Sequence, residues 1–338
     1  MRIHFINVGY GEAILVERDG YTVLVDGGTH RAEEYEASGC IRTADYLKQL
    51  GVSRIDLVVI THIHDDHIGG IPDVIKNFTV SQVWINVKPA PPDMERINRF
   101  ESVTGGNLSS NLFRNALESY GEVLKECEIR KIPVLQRGKE DGVFSPAEGF
   151  AIEILTPGRQ IQEQMLAAFA AMAAAPDDRE AEALFREIDR QGNQSSISLR
   201  IKEGHASVLL SGDKVDGWET VREEYGSKLE SQILKLTHHG QRDGMPQAMV
   251  DVSQPEIFLI CASADRRFDS AHPDVIDRAH AFLAEKGKTG GVYVTGCLGE
   301  NTEGEQKDGR GGSFCAVCFD CDEKTGKITA QIKEGGCE

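Results

Sequence analysis

Long apolar runs are missing from this chain of 338 residues. Nowhere do about 18 consecutive apolar residues occur, so no membrane-spanning helix is predicted. Positive charge is in deficit: Lys and Arg number 37 against 54 Asp and Glu, a formal net charge of −17. That balance argues against a polyanion held across a broad basic face, because nucleic-acid affinity comes largely from phosphate neutralisation by Lys and Arg. A local basic or metal-lined groove is compatible with it. Cysteine is sparse, and eight in a chain this long do not make a disulfide scaffold, so free thiols in a reducing compartment are expected. The start, Met1-Arg2-Ile3-His4-Phe5, lacks the charged-then-apolar design of a secretion signal, and Asn7, Gly9 and Glu12 interrupt any apolar run. A soluble, cytoplasmic protein is the expectation. No repeat of fixed period is visible, which sets aside solenoids and propellers.

What is present is globular in character: 40% hydrophobic and 27% charged residues exclude the disordered and collagen-like classes. The length alone admits two average domains or one large one. Apolar runs at 3–8, 13–16 and 21–25, broken by Gly9, Gly11 and Asp19-Gly20, predict three strands joined by tight turns. Residues 43–50 carry apolar side chains at helical spacing and stop at Gly51. Leu57-Val58-Val59-Ile60 is a short β-branched run of the kind buried on both faces. A polar loop at 61–70, a helix at 71–78 and a strand at 80–85 follow, an order of α/β character. Between 89 and 128 the composition changes, with a helix predicted at 111–127, and a second helical stretch, broken by Pro176, is predicted at 158–189. The Ala-Met-Phe stretch at 165–175 reads as a packed helix rather than a membrane or partner surface. Strands return at 197–201, 206–210, 233–236 and 257–261, then an amphipathic helix at 274–286, a strand at 292–294 and a hairpin pairing 314–319 with 328–332.

The densest chemistry is in Thr61-His62-Ile63-His64-Asp65-Asp66-His67-Ile68-Gly69-Gly70, with three imidazoles and two carboxylates within six positions at the end of a buried strand. Such donors suit Zn²⁺, Mn²⁺ or Fe, and two sets of them serve two adjacent ions.

This stretch resembles the H-x-H-x-D-H signature of the metallo-β-lactamase superfamily, with His62, His64, Asp66 and His67 in its four positions. Leu24-Val25-Asp26-Gly27-Gly28 resembles that family's first motif, Leu209-Leu210-Ser211-Gly212-Asp213 a later aspartate motif, and Leu234-Lys235-Leu236-Thr237-His238-His239-Gly240 its last histidine motif. Within the superfamily the chain is similar to the hydrolase domain of ComEC-type competence proteins and to phosphorylcholine esterases. That likeness rests on the opening Phe5-Ile6-Asn7-Val8-Gly9-Tyr10-Gly11-Glu12-Ala13, on Asn193-Gln194-Ser195-Ser196 and on Ala271-His272-Pro273. Asn7, Tyr10 and Glu12 depart from the Asp, Gln and Asp of the family's opening, and nothing corresponds to the competence proteins' channel.

The resemblance implies an α/β fold, a four-layer αββα sandwich spanning 1–338, with 89–192 a partly helical insertion. It implies two divalent metal ions, Zn or Mn. One takes His62 and His64, with water or the Asn193 region completing its shell. The other takes Asp66, His67 and one of the His238-His239 pair. Asp213 lies between the ions, and Asp26 orients the loop from behind. The His-Gly step favours His239 as ligand, leaving His238 to contact a phosphate oxygen or protonate the leaving group, with the reverse order as alternative. Asp66, His238 and His272 are the catalytic candidates. The implied activity is a phosphodiesterase that attacks with hydroxide activated at the dinuclear centre, on a nucleotide or single-stranded nucleic acid rather than extensive duplex. A lactonase or β-lactamase-like hydrolase and a non-catalytic interaction module are the alternatives. Lys235 and Arg242 are read as surface salt-bridging residues with phosphate neutralisation as the alternative, and Glu12, Glu33-Glu34 and Asp177-Asp178 as solvated surface. Cys315, Cys318 and Cys321, with Cys337 beyond, have the spacing of a zinc or iron–sulfur site. Strand alternation at 313–319 opposes it, because residues three apart then point to opposite faces. Gly309 to Gly312 is read as a plain loop.

Overall fold

The computed structural model describes residues 1–37, 39–91, 93–94, 108–296 and 314–334. Cys337 and the glycines at 309–312 lie outside the described residues. In chain order the strands are β1 (Arg2–Ile6), β2 (Ile14–Arg18), β3 (Tyr21–Val25), β4 (Arg54–Ile55), β5 (Leu57–Ile60), β6 (Thr79–Val80), β7 (Val83–Ile85), β8 (Val134–Gln136) and β9 (Val143–Ala147). They continue as β10 (Phe150–Thr156), β11 (Ser198–Glu203), β12 (Ala206–Leu210), β13 (Ile233–Lys235), β14 (Ile257–Ile260), β15 (Val292–Val294), β16 (Phe314–Cys321) and β17 (Ile328–Glu334). One sheet runs β17-β16-β1-β2-β3-β5-β7-β8 and a second runs β15-β14-β13-β12-β11-β10-β9, while β4 and β6 form a small parallel pair.

Alternation along the strands builds the layers. Leu57 and Val59 turn inward with Phe5, Val16 and Trp84 to meet Ile152, Leu199, Val208 and Leu259 of the second sheet. Val58 and Ile60 turn outward onto helices Thr43–Gln49, Ile71–Asn77, Leu108–Arg130, Arg159–Ala174 and Asp178–Gln191. On the far side Leu209, Leu234, Phe258 and Ile260 pack under helices Trp218–Tyr225, Gln247–Ser253 and Pro273–Glu285. The order helix, sheet, sheet, helix is the αββα sandwich that the motifs implied. A strand apolar on both faces is stable only when both are covered.

The helix at 159–174 buries Met165, Phe169 and Met172 in the first helical layer. Among the described residues no helix is long and apolar enough to cross a membrane. Three features differ from the sequence reading. The 61–70 loop contains a one-turn helix, Asp65–Ile68. The strand predicted at 80–85 is split between β6 and β7. The 89–192 stretch carries β8 into the first sheet and β9 and β10 into the second, between its two helical runs.

Candidate metal centre

The first sheet contributes Asp26 after β3 and the 61–68 segment after β5, two strands that lie parallel through a shared neighbourhood. The second contributes Asp213 after β12 and His239 after β13, also parallel neighbours. The carboxyl ends of parallel strands are where α/β sheets place their ligands. Two glycine loops set Asp26 beside His67: Gly70 N donates to Gly28 O at 2.8 Å and Gly27 N to His67 O at 2.7 Å. A Cβ at Gly70 would collide with the Gly27 carbonyl, so no larger residue permits this approach.

Each of four histidines has one ring nitrogen engaged from behind. His67 Nδ1 donates to Asp26 Oδ2 at 2.7 Å, and Asp26 is locked by Thr61 N and Thr61 Oγ1 at 2.8 and 2.6 Å. His239 Nδ1 donates to Cys261 O at 2.8 Å. His64 Nε2 lies 3.2 Å from Asp189 O and 3.4 Å from its carboxylate. His62 Nδ1 meets Thr61 Oγ1 at 3.1 Å and Ser196 Oγ at 3.3 Å. The network therefore assigns the tautomers, and the remaining nitrogens point at one another. His62 Nε2 is 3.0 Å from His64 Nδ1, and His67 Nε2 is 3.3 Å from His239 Nε2. Asp213 Oδ2 is 3.3 Å from His67 Nε2 and 3.2 Å from His239 Nε2, and Asp66 Oδ2 is 3.0 Å from the latter. Asp66, His67, Asp213 and His239 offer donor atoms all within 4.8 Å of one another. Lone pairs converging this closely in a buried place repel unless a cation or proton lies between them, and outer hydrogen bonds that fix each imidazole are what metal sites require. The donor set fits a divalent metal.

The electrostatics agree. Burial, then His67 and His64, hold His62 well below its ordinary value, so it is neutral and able to ligate. Burial opposes charging His239, but Asp213 and Asp66 push it up to about 9. Burial would raise the Asp66 carboxyl, yet His67 and His239 bring it down to about 2. These are the fields of a site built for positive charge.

Glu12 and Lys235 are corrections to the sequence reading. Neither is on the surface: both are fully buried and form an ion pair with each other. Lys235 Nζ also donates to Gly212 O at 2.9 Å and lies 3.5 Å from Asp213 Oδ1, so it clamps the oxygen of Asp213 that does not face the histidines. Glu12 has been carried inward by its backbone, Glu12 N donating to Asp66 O at 2.9 Å. A lysine in the middle of the apolar run 233–236 is the signal that was available, since a charge there must be paired. Glu34, read as solvated, is likewise buried against Arg267. Arg242 does pair on the surface, with Asp274 at 3.1 Å.

His238 is not one of the grouped donors, and its Nδ1 lies 2.9 Å from Asp243 Oδ1. His272 Nδ1 accepts from Asp274 N at 3.1 Å as the cap of helix Pro273–Glu285. Its backbone braces the site, His272 N donating to Gly240 O at 2.8 Å. Asp65 is taken by Thr29 and by His30 Nδ1 at 2.7 Å. Asn193 Oδ1 is buried with no protein partner. Asp189, Cys261 and Phe268 gave no signal of a role at the site, because their parts depend on contacts between distant segments, whereas Ser196 lies in the 193–196 motif. The three cysteines do not converge: Cys318 meets His4 and Tyr46 outside the first sheet, while Cys321 faces the space between the sheets. A register shift between Phe314 and Ala316 puts Cys315 on the same face as Cys318.

A cleft of about 490 Å³ opens over the donors. Asp66, Asp213, His64 and His238 reach it on one side, and Tyr10 and Phe268 on another. Among the described residues no Lys or Arg lines it.

The family model of the metallo-beta-lactamase superfamily matches residues 6–159. The chain is 22% identical over 286 residues to ComE operon protein 3 of Bacillus subtilis (strain 168), which takes in 81% of this chain and 30% of that protein's length. It is 26% identical over 256 residues to hydroxyacylglutathione hydrolase of Aliivibrio fischeri, 72% of this chain and 90% of that protein. Among solved structures, the short form of human tRNase Z superposes with a TM-score of 0.40 at 13% identity, covering 77% of this chain and 91% of that one. Over residues 6–159 the chain is similar to the metallo-beta-lactamase superfamily.

Proposed function

We propose that this chain is a metal-dependent phosphodiesterase acting on a nucleotide or a single-stranded nucleic acid through two divalent ions, Zn²⁺ or Mn²⁺. The observation that carries metal dependence is the set of four imidazoles, each fixed from behind and each presenting its other nitrogen to a neighbour or a carboxylate. His62 and His64 would hold one ion, with Asn193 Oδ1 an unspent acceptor nearby, and Asp66, His67 and His239 the other, with Asp213 shared. Bound there, such ions supply Lewis acidity and an ionised water at neutral pH. Asp66, on the cleft wall, would orient the attacking water and hold its proton. His238 lines the same cleft with Nδ1 fixed on Asp243, which leaves Nε2 to contact a phosphate oxygen or to protonate the leaving group. Lys235 positions Asp213.

A carbon-centred hydrolase is the second reading, favoured by a cleft that has aspartates but, among the described residues, neither Lys nor Arg to meet a phosphate. Metal analysis of the reconstituted protein, coupled to a screen of phosphodiesters, nucleotides, single-stranded DNA, lactones and thioesters, separates the two. Turnover of diesters that is lost in His64→Ala with Asp66→Asn supports the first reading. Turnover confined to lactones or thioesters sinks it.

A further inference from the structure

Phe268 is 42% exposed, one of few large apolar side chains so placed among the described residues. Arg266, Phe268, Asp269 and Ala271 all take left-handed backbone angles, φ 52°, 56°, 63° and 48°, a conformation that non-glycine residues keep only when their surroundings impose it. The imposition is visible: Arg267 pairs with buried Glu34 and with Asp265 Oδ2 at 2.8 Å, and Ser270 N donates to Arg267 O at 3.1 Å. The Phe268 ring thereby sits 4.8 Å from the Tyr10 ring, and the Tyr10 ring 4.8 Å from that of His239. Three rings form a file from the metal donors to the rim of the cleft.

We infer that Tyr10 and Phe268 form a stacking wall for a nucleobase, so that the substrate is recognised by its base as well as by the phosphorus centre; this rests on the phosphodiester reading. The cleft has no Lys or Arg among the described residues, so beyond the ions and His238 the organic part of the substrate is left to supply binding. A neutral, flat ring suits an acidic cleft, and its face gains from aromatic stacking without any charge of its own. A base also stands a sugar's width from its phosphate, which matches a wall that starts beside His239 and ends at the rim.

Calorimetric titration of the metal-loaded full chain with thymidine monophosphate and with deoxyribose phosphate tests this. The wild type is expected to bind the nucleotide roughly 5- to 100-fold more tightly than the base-free phosphate. In Phe268→Ala that ratio falls toward one, and in Phe268→Tyr, which keeps a ring, it persists. Equal affinities in the wild type, or a ratio untouched in Phe268→Ala, overturn the inference while leaving phosphate binding intact. If neither phosphate binds and a lactone is hydrolysed, the phosphodiester reading fails and the stacking wall falls with it.

Discussion

Replacing Lys235 by methionine strips the Glu12 carboxylate of its cation at a place where neither group meets solvent. The two partners are unequally supported. Lys235 keeps Gly212 O at 2.9 Å and Asp213 Oδ1 at 3.5 Å, whereas both Glu12 oxygens lack any hydrogen-bond partner apart from the ion pair. Removing the lysine therefore leaves a bare buried carboxylate, a change that costs about 3–5 kcal/mol. Removing the carboxylate, as in Glu12→Gln, leaves a lysine with two acceptors and should cost only about 1–3 kcal/mol. Against a total stability of roughly 5–15 kcal/mol the first loss is large. The double variant removes both charges, so it should be more stable than Lys235→Met alone, with a coupling of about 2 kcal/mol. Urea unfolding followed by far-ultraviolet circular dichroism, with saturating metal and again after chelation, separates the ion pair from any metal effect. A Lys235→Met loss below about 1 kcal/mol, or a double variant as unstable as the sum of the singles, would refute the reasoning.

Elemental analysis should find two ions per wild-type chain and one in the His62→Ala, His64→Ala double variant; a single ion in the saturated wild type would remove the dinuclear reading. Asp189→Ala removes the carboxylate 3.4 Å from His64 Nε2 while keeping the Asp189 carbonyl at 3.2 Å; it is expected to weaken metal affinity by up to roughly 10-fold in chelator competition, and an unchanged affinity would show that Asp189's carboxylate does not position His64. The hydrogen bond to Asp65 raises the His30 imidazole above its ordinary value, so its contribution to stability is present in full below about pH 6.5 and is lost as pH rises through the raised value. Melting temperatures of wild type and His30→Gln should converge toward alkaline pH and separate toward pH 6; parallel curves would contradict this.

Local patterns carried the α/β character and the histidine loop because both are written over a few consecutive residues, while the sandwich came from the resemblance of the motifs. Leu57-Val58-Val59-Ile60 reads as a doubly covered strand, and His62, His64, Asp66 and His67 follow it by spacing alone. Strand β10 was legible and passed over: Phe150-Ala151-Ile152-Glu153-Ile154 alternates and buries every second residue. Lys235 could have been read as buried from its place in the apolar run 233–236, but Glu12 could not, since a charge is read as exposed until its partner, here more than two hundred residues away, is known. The same holds for Asp189, which a helix of the 89–192 stretch delivers to His64. Phe268 depends on a backbone conformation that no residue in its loop announces.

The outer partners of the four histidines come from separate parts of the chain, and this makes metal binding a matter of architecture. Asp26 and Thr61 belong to the first sheet, Cys261 to the end of β14 in the second, Ser196 to the turn before β11, and Asp189 to the helical stretch. A cation held between His67 of one sheet and His239 and Asp213 of the other would draw on Asp26 and Cys261 together, and one held by His62 and His64 on Ser196 and Asp189. Its binding free energy is then folding free energy for the seam between the sheets, and ligand-linked stabilisation grows with metal concentration. The buried Glu12–Lys235 pair sits on the same seam, joining the 7–13 turn to β13. A bound metal and the ion pair would thus be two fastenings of one joint, and weakening the pair should lower metal affinity by way of Asp213 even though neither Glu12 nor Lys235 is proposed as a ligand.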